Sequence, residues 1–432
     1  MMKKILFGFV LFFHISAYTQ SYLPIDTADY AMRKEFLTAF KKRNEEYIKT
    51  QKARHSGRVA NEVSKHYTEY FKDFEKEIKN KDYAFRTPFN EMLNDILAKL
   101  MSGNPQIPSD MKILIAKDNT PNASCLPDGT FIIHMGLFNW MDNEEQIASV
   151  LSHEIAHKLK EHSLNSIIAN LQEEKKDTEK VKEIKTSTVN RYDKAFDVLK
   201  DRLYRQQGKS RKHEIQADSL GYVLYSKAGF KKSEFINAMK NLRDFDSISP
   251  RVLKEETYRK LYTLPNLPFK DKWLKGEDFS LYNYDFYKEK LDKDSLSSHP
   301  EFTERISEME KYFLELKTEE ASGEASEGFK NLRKTAKMEI LPNFYQSEDY
   351  GVGIYVAMQM IQDEFEEGYV KSWIGKFFGK IRDGRKNYNL NRYLDRVDPK
   401  KQSESYQQFL GFMWNLNLDE ISSFADYYQK KP

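Results

Sequence analysis

Between residues 143 and 162 the apolar positions Ile147, Val150, Leu151, Ile155 and Leu159 recur at helical spacing, and no Pro or Gly intervenes. Asp142, with Glu145 three positions on, reads as an N-cap and its capping-box partner, so the pattern predicts a helix from about Asn143 to His162. Just upstream the pattern changes. Ile113-Leu114-Ile115-Ala116 and Thr130-Phe131-Ile132-Ile133 are short β-branched runs separated by the turn sequence Pro127-Asp128-Gly129, and they predict strands of a small sheet beside that helix. From residue 26 to about 100 the chain carries mixed-charge helical patterns, interrupted at Pro88 and Pro105. The small acidic stretch Glu319–Gly328 reads as a linker. Beyond it, Ile354, Ala357, Met358, Ile361 and Phe365 keep helical period, as do Val370, Trp373, Ile374, Phe377, Phe378 and Ile381. Two more amphipathic runs lie near 406–416 and 419–428, and no repeat at a 34-residue period joins them, which favours a plain helical bundle. The Pro- and aromatic-rich piece from Ser249 to Tyr287 matches no pattern. The expected fold is mainly α with a small β-sheet. Its parts are a leader at 1–20, an N-terminal helical region at 21–105, a central α+β domain at 106–315, a linker at 316–328 and a helical C-terminal module at 329–432.

Inside the predicted helix stands His153-Glu154-Ile155-Ala156-His157. Histidines four apart project from one helix face, one turn apart. Their neutral imidazoles can then meet one Zn²⁺ at about 2.0–2.1 Å. Glu154 is placed to reach a metal-bound water as general base. The plainer reading is an amphipathic helix whose histidines are solvated or satisfied in the core. A third ligand must come from elsewhere. Glu214 and Asp218, also four apart, would share a helix face, one ligating and the other hydrogen-bonding a ligand imidazole, with small Ala217 between them allowing a close helix approach. In a chain this charged, such a pair by itself reads as a solvated face. The metzincin pattern is excluded, because Lys160 and Ser163 occupy its glycine and third-histidine positions. His162, five after His157, falls off the ligand face and reads as a capping or interfacial residue.

Taken together, the HExxH sequence, Glu214-x-x-Ala217-Asp218, Asn122-Ala123, Leu126–Leu137, Gly221, Ala228-Gly229-Phe230 and Ser298-His299-Pro300 followed by Arg305-Ile306 cover roughly residues 110–310. In this order they resemble metallopeptidase family 48, the zinc peptidases related to HtpX, BepA and the CAAX prenyl proteases, in a soluble exported form. The resemblance implies a gluzincin-type core holding one Zn²⁺ per chain through His153, His157 and Glu214, with Glu154 as catalytic base and Asp218 orienting a ligand histidine. It also implies His299 near the site, as oxyanion stabiliser or fourth ligand, and Asn122 and Ala123 on an edge strand that pairs with extended substrate. Arg305 is expected to contact substrate or a carboxylate. The implied activity is an endopeptidase acting on unfolded or misassembled envelope proteins, with the C-terminal helices as a place for an envelope partner. Ser124-Cys125 and the long stretch from Asp218 to His299 depart from the family pattern and bear on substrate fit. The rival reading is a latent enzyme or a chaperone-like client-binding module, its metal site structural or blocked by His299.

Met1-Met2-Lys3-Lys4 followed by the apolar run Ile5–Phe13 reads as a secretory leader, shorter than the ~20 residues a membrane-spanning helix needs. With Cys125 the sole cysteine, no intrachain disulfide can form and no thiolate zinc cluster exists. These features predict export, to a bacterial periplasm, and at most peripheral membrane contact. With 69 basic against 66 acidic residues, net +3, nothing invites nucleic acid. The charged run Glu173–Lys185 reads as a solvated helix or loop between the two metal-binding helices.

Overall fold

The runs at 113–116 and 130–133 become neighbouring parallel strands, and their burial explains why they read as unbroken apolar stretches. The computed structural model describes residues 22–186, 191–247, 251–275, 302–398 and 402–430. The leader at 1–20 and the Ser298-His299-Pro300 element lie outside the described residues. Two long helices, α1 (Tyr30–Arg54) and α2 (Gly57–Lys79), precede the short strand β1 (Tyr83–Ala84) and α3 (Pro88–Gly103). Strand β2 (Lys112–Ala116) pairs in parallel with β4 (Thr130–His134), while β1 and β3 (Ala123–Cys125) add antiparallel at the two edges, in the order β1-β2-β4-β3.

Alternate residues of these strands enter two different cores. Ile115, Phe131 and Ile133 pack with Leu93 of α3 and, after the short helix α4 (Leu137–Trp140), with Ile147, Leu151 and Ile155 of α5 (Glu144–Leu159). Leu114, Ala116 and Ile132 face the other way, onto Phe40 of α1 and Val63, Tyr67 and Phe71 of α2. A sheet covered on both faces has no polar alternation to show. The expected pair of strands therefore sits in a mixed four-stranded sheet, and Pro127-Asp128-Gly129 joins β3 to β4 as a hairpin turn with Gly129 at φ +90°.

The helix that begins after Asp142 is capped one residue later than its pattern predicts. Asn143 accepts the Gln146 N–H at 3.1 Å, and Gln146 Oε1 reciprocates by accepting the Asp142 N–H at 2.8 Å. Its other end also differs. Lys160 closes α5, Glu161 takes a left-handed backbone (φ 53°), and α6 (His162–Thr186) starts afresh, carrying the charged run 173–185. Then α7 (Arg191–Lys227) returns to pack along α5 and α6, and α8 (Lys232–Ser247) packs on α5.

Residues 253–274, including α9 (Glu255–Tyr262), form part of the C-terminal core: Tyr258, Tyr262 and Trp273 pack with Phe378, Phe412 and Phe424. The remaining helices are α10 (Phe302–Tyr312), α11 (Glu327–Gln346), α12 (Tyr350–Gln362), α13 (Glu367–Lys386), α14 (Glu404–Asn415) and α15 (Leu418–Lys430). Helix α11 joins both cores, with Phe329 and Leu332 on the side of α5 and Leu341 on the C-terminal side. Its buried Glu339 pairs with Lys117 at 2.9 Å and accepts from Tyr22 and the Ile25 N–H at 2.6 and 2.7 Å. Among the described residues, no helix is long and apolar enough to cross a membrane.

Candidate metal centre

Helices α5 and α7 approach until Ala156 and Ala217 are fully buried, and a Cβ on Gly221 would stand only 3.0 Å from the His153 Cα. Glycine at that point lets the backbones close, which brings Glu214 over the two histidines. The Nε2 atoms of His153 and His157 are 3.0 Å apart, and the Glu214 carboxylate spans them, with Oε2 3.5 Å from His153 Nε2 and Oε1 3.5 Å from His157 Nε2. Two ligands held at about 2.0–2.1 Å on a tetrahedral ion stand about 3.3 Å apart. The triangle of two imidazole nitrogens and the Glu214 carboxylate therefore matches a single Zn²⁺ in size and in donor chemistry. Among the described residues it is the one group of three or more such donors within 4.8 Å of one another.

Around this triangle the charges are arranged in pairs. Asp218 Oδ1 stands 2.9 Å from His153 Nδ1, the nitrogen turned away from the other donors. Arg305, from α10, forks onto the same carboxylate at 2.8 and 2.6 Å and reaches Glu214 at 3.3 Å. Arg305 is 6 % exposed, so the structure places it in the framework behind the ligands as well as along the cleft. Burial opposes the Asp218 charge, but Arg305 and His153 outweigh it and hold its carboxyl at about 2. Burial would likewise lower His153, yet the Asp218 and Glu214 carboxylates carry it up to about 10. His157 is pushed down to about 3, first by burial and then by His153, so it is already the neutral imidazole that metal ions bind. Zinc binding at pH 8 is therefore expected to release at least about one proton, the first from His153. Calorimetric titration in buffers of different ionisation enthalpy measures this directly, and a proton count near zero would show His153 already neutral.

Glu154 faces the cleft beside the donor triangle. Loss of hydration raises its carboxyl to about 7, against the opposing pull of His153 and the Cys125 backbone amide. The cleft encloses about 650 Å³ and runs between β3, with Asn122 and Ala123 on its wall, and the apolar side chains Val150, Met239 and Leu242. Leu126 N–H donates to Thr130 and His134 N–H donates to Asn122 across the β3–β4 ladder. Antiparallel pairs alternate, so Ala123 and Cys125 turn their main-chain groups to the other edge of β3. The Asn122 side chain accepts the Ala123 N–H there, at 2.9 Å.

Two residues that were not read as part of the site adjoin it. His162 Nδ1 lies 3.0 Å from His157 Nδ1, and its Nε2 lies 3.3 Å from Gln216 Oε1. Extrapolating α5 past Leu159 hides this contact. His299 falls outside the described residues, so its place beside the metal donors stays an expectation.

With this geometry in hand, the likenesses of the sequence acquire structural content. Residues 90–313, more than half of the chain, match peptidase family M48. A mitochondrial metalloendopeptidase OMA1 from Arabidopsis thaliana is 28% identical over 119 residues, 28% of this chain and 23% of that protein. Its namesake from Saccharomyces cerevisiae is 28% identical over 137 residues, 31% of this chain and 38% of that protein. The beta-barrel assembly-enhancing protease of Escherichia coli (strain K12) is 29% identical over 72 residues, 17% of this chain and 15% of that protein. The chain thus spans well under half the length of each of these relatives.

Proposed function

The chain belongs to peptidase family M48, and on that premise we propose that it is an exported zinc endopeptidase that hydrolyses unfolded or misassembled polypeptides of the cell envelope. The observation that carries the chemistry is the triangle of His153, His157 and Glu214 with Glu154 beside it. A Zn²⁺ held by those three side chains supplies, when bound, Lewis-acid polarisation of the scissile carbonyl and a lowered pKa for the attacking water. Glu154 accepts the proton of that water on its carboxylate and passes it to the leaving amine nitrogen. A carboxyl near 7 suits both halves of that transfer, since it takes up and gives up a proton at neutral pH. Asp218, 2.9 Å from His153 Nδ1, keeps that ring's proton on Nδ1 and its Nε2 free for the metal.

Substrate selection follows from β3. An extended segment laid along Ala123 and Cys125 would add a fifth strand, with the Asn122 side chain yielding the Ala123 N–H it covers. Main-chain pairing of this kind reads no sequence, but it demands a chain free to extend, hence unfolded polypeptide. The short apolar leader Ile5–Phe13 and the likeness to a beta-barrel assembly-enhancing protease support an envelope location. Stripping the metal with EDTA is expected to stop cleavage of unfolded casein, and one equivalent of Zn²⁺ to restore it. Cleavage that persists in zinc-free protein would overturn the assignment.

A further inference from the structure

Each ligand imidazole has a second nitrogen whose partner decides which tautomer the ring adopts. For His153 that partner is Asp218. For His157, among the described residues, the Nδ1 faces the Nδ1 of another histidine, His162, at 3.0 Å in place of a carboxylate. We propose that His162 and Gln216 form a hydrogen-bonded chain that fixes the tautomer and orientation of His157, making His162 a positioning residue of the metal centre. The inference rests on the zinc-ligand reading above.

Proton bookkeeping along the chain leaves one arrangement. His157 Nε2 points at His153 Nε2 and Glu214, so as a ligand it must be bare and the ring proton sits on Nδ1. Two ring nitrogens 3.0 Å apart share a single proton, so His157 Nδ1–H donates and His162 Nδ1 accepts. The proton of His162 then sits on Nε2, where it is donated to Gln216 Oε1 at 3.3 Å. A stack against His213, with ring centroids 4.3 Å apart and planes 8° from parallel, holds the His162 ring in the plane this requires. At 4 % exposure, His162 leaves little access for water to take its place. The turn that brings it there is itself secured: Glu161, at φ 53°, is gripped by both terminal nitrogens of Arg54 at 2.5 and 2.9 Å. A single stretch of α7 thus supplies Glu214 to the metal, Asp218 to one histidine and Gln216, through His162, to the other.

The test is the zinc dissociation constant of the full chain, measured by chelator competition, for wild type, His162→Leu and His162→Asn. Loss of the acceptor in His162→Leu is expected to weaken zinc binding about 10–100-fold. His162→Asn keeps an oxygen near the Nδ1 position and is expected to recover most of the affinity, a rescue that a space-filling role would not show. Affinity unchanged in His162→Leu, or equally poor in both variants, would overturn the proposal. Should His162→Leu fail to fold, Gln216→Leu reads the same chain from its far end: weaker binding supports it and unchanged binding overturns it. A wild-type chain that takes up no zinc would overturn the zinc-ligand reading along with this one.

Discussion

Replacing Glu154 by Gln is expected to cut the rate of unfolded-casein cleavage by about 10²–10⁴-fold while zinc content stays at the wild-type level. The two halves of this expectation come from different atoms. The donor triangle is made by His153, His157 and Glu214, and none of its edges involves Glu154. An amide of the same size therefore leaves the metal site intact. What the amide lacks is a proton acceptor in the neutral range. In the native chain the Glu154 carboxyl lies near 7 because burial in the cleft outweighs the pull of His153. A base must be ionised to work, so wild-type activity is expected to rise with pH with a midpoint no higher than about 7, since a bound cation shifts that limb downward. The variant should show no such limb. Equal cleavage by both proteins, each holding zinc, would remove Glu154 from the chemistry.

Local spacing made part of this molecule legible and non-local packing hid the rest. Helix α5 and the His153–His157 pair follow from contacts within one or two turns, which is where hydrophobic period and ligand spacing act. The apolar runs of β2 and β4 were readable because each strand feeds two cores at once. Strands β1 and β3, of two and three residues, are too short to show any period. Glu214 was legible as a ligand only through family resemblance. Composition alone favours a solvated carboxylate there, and the approach of α7 to α5 depends on Gly221, whose role is invisible without its neighbour.

His162 shows a different failure. On a continued helix a residue five past His157 points away from it, and the sequence carries no Gly or Asn at Glu161 to announce a left-handed turn. The φ of +53° at that residue is sustained from outside, by the Arg54 fork of a helix more than a hundred residues earlier. The aromatic piece around Tyr258, Tyr262 and Trp273 matched no pattern for a related reason. Its partners Phe378, Phe412 and Phe424 lie over a hundred positions downstream, so its burial has no local signature.

The largest effect on stability is expected at Arg305. In Arg305→Met the side chain keeps its unbranched stem and loses its charge, leaving Asp218 and Glu214 in a buried site with only His153 to oppose their charge in the metal-free protein. Breaking one partner out of a buried ion pair costs about 3–5 kcal/mol, and the metal-free protein should melt well below wild type. The pH dependence gives the sign. Asp218 has a folded pKa of about 2, below the ~3.9 of an unfolded aspartate. Its contribution is therefore fully present above about pH 4 and is lost as pH falls through 2. Without Arg305, burial is opposed by His153 alone and the same carboxyl rises, so the variant is penalised at neutral pH and relieved as Asp218 takes up a proton. The gap in melting temperature should be widest near pH 7 and shrink toward pH 4. Zinc should narrow it as well, because a divalent cation against Glu214 replaces part of the missing charge, and a ligand that binds only the folded chain stabilises it by mass action. Arg305→Lys is expected to fall between the two, since an ammonium keeps the charge but cannot fork onto Asp218 and reach Glu214 together. A gap that is the same at pH 7 and pH 4 would show that Arg305 acts by packing, over Phe302 at 4.8 Å, and not through the carboxylates.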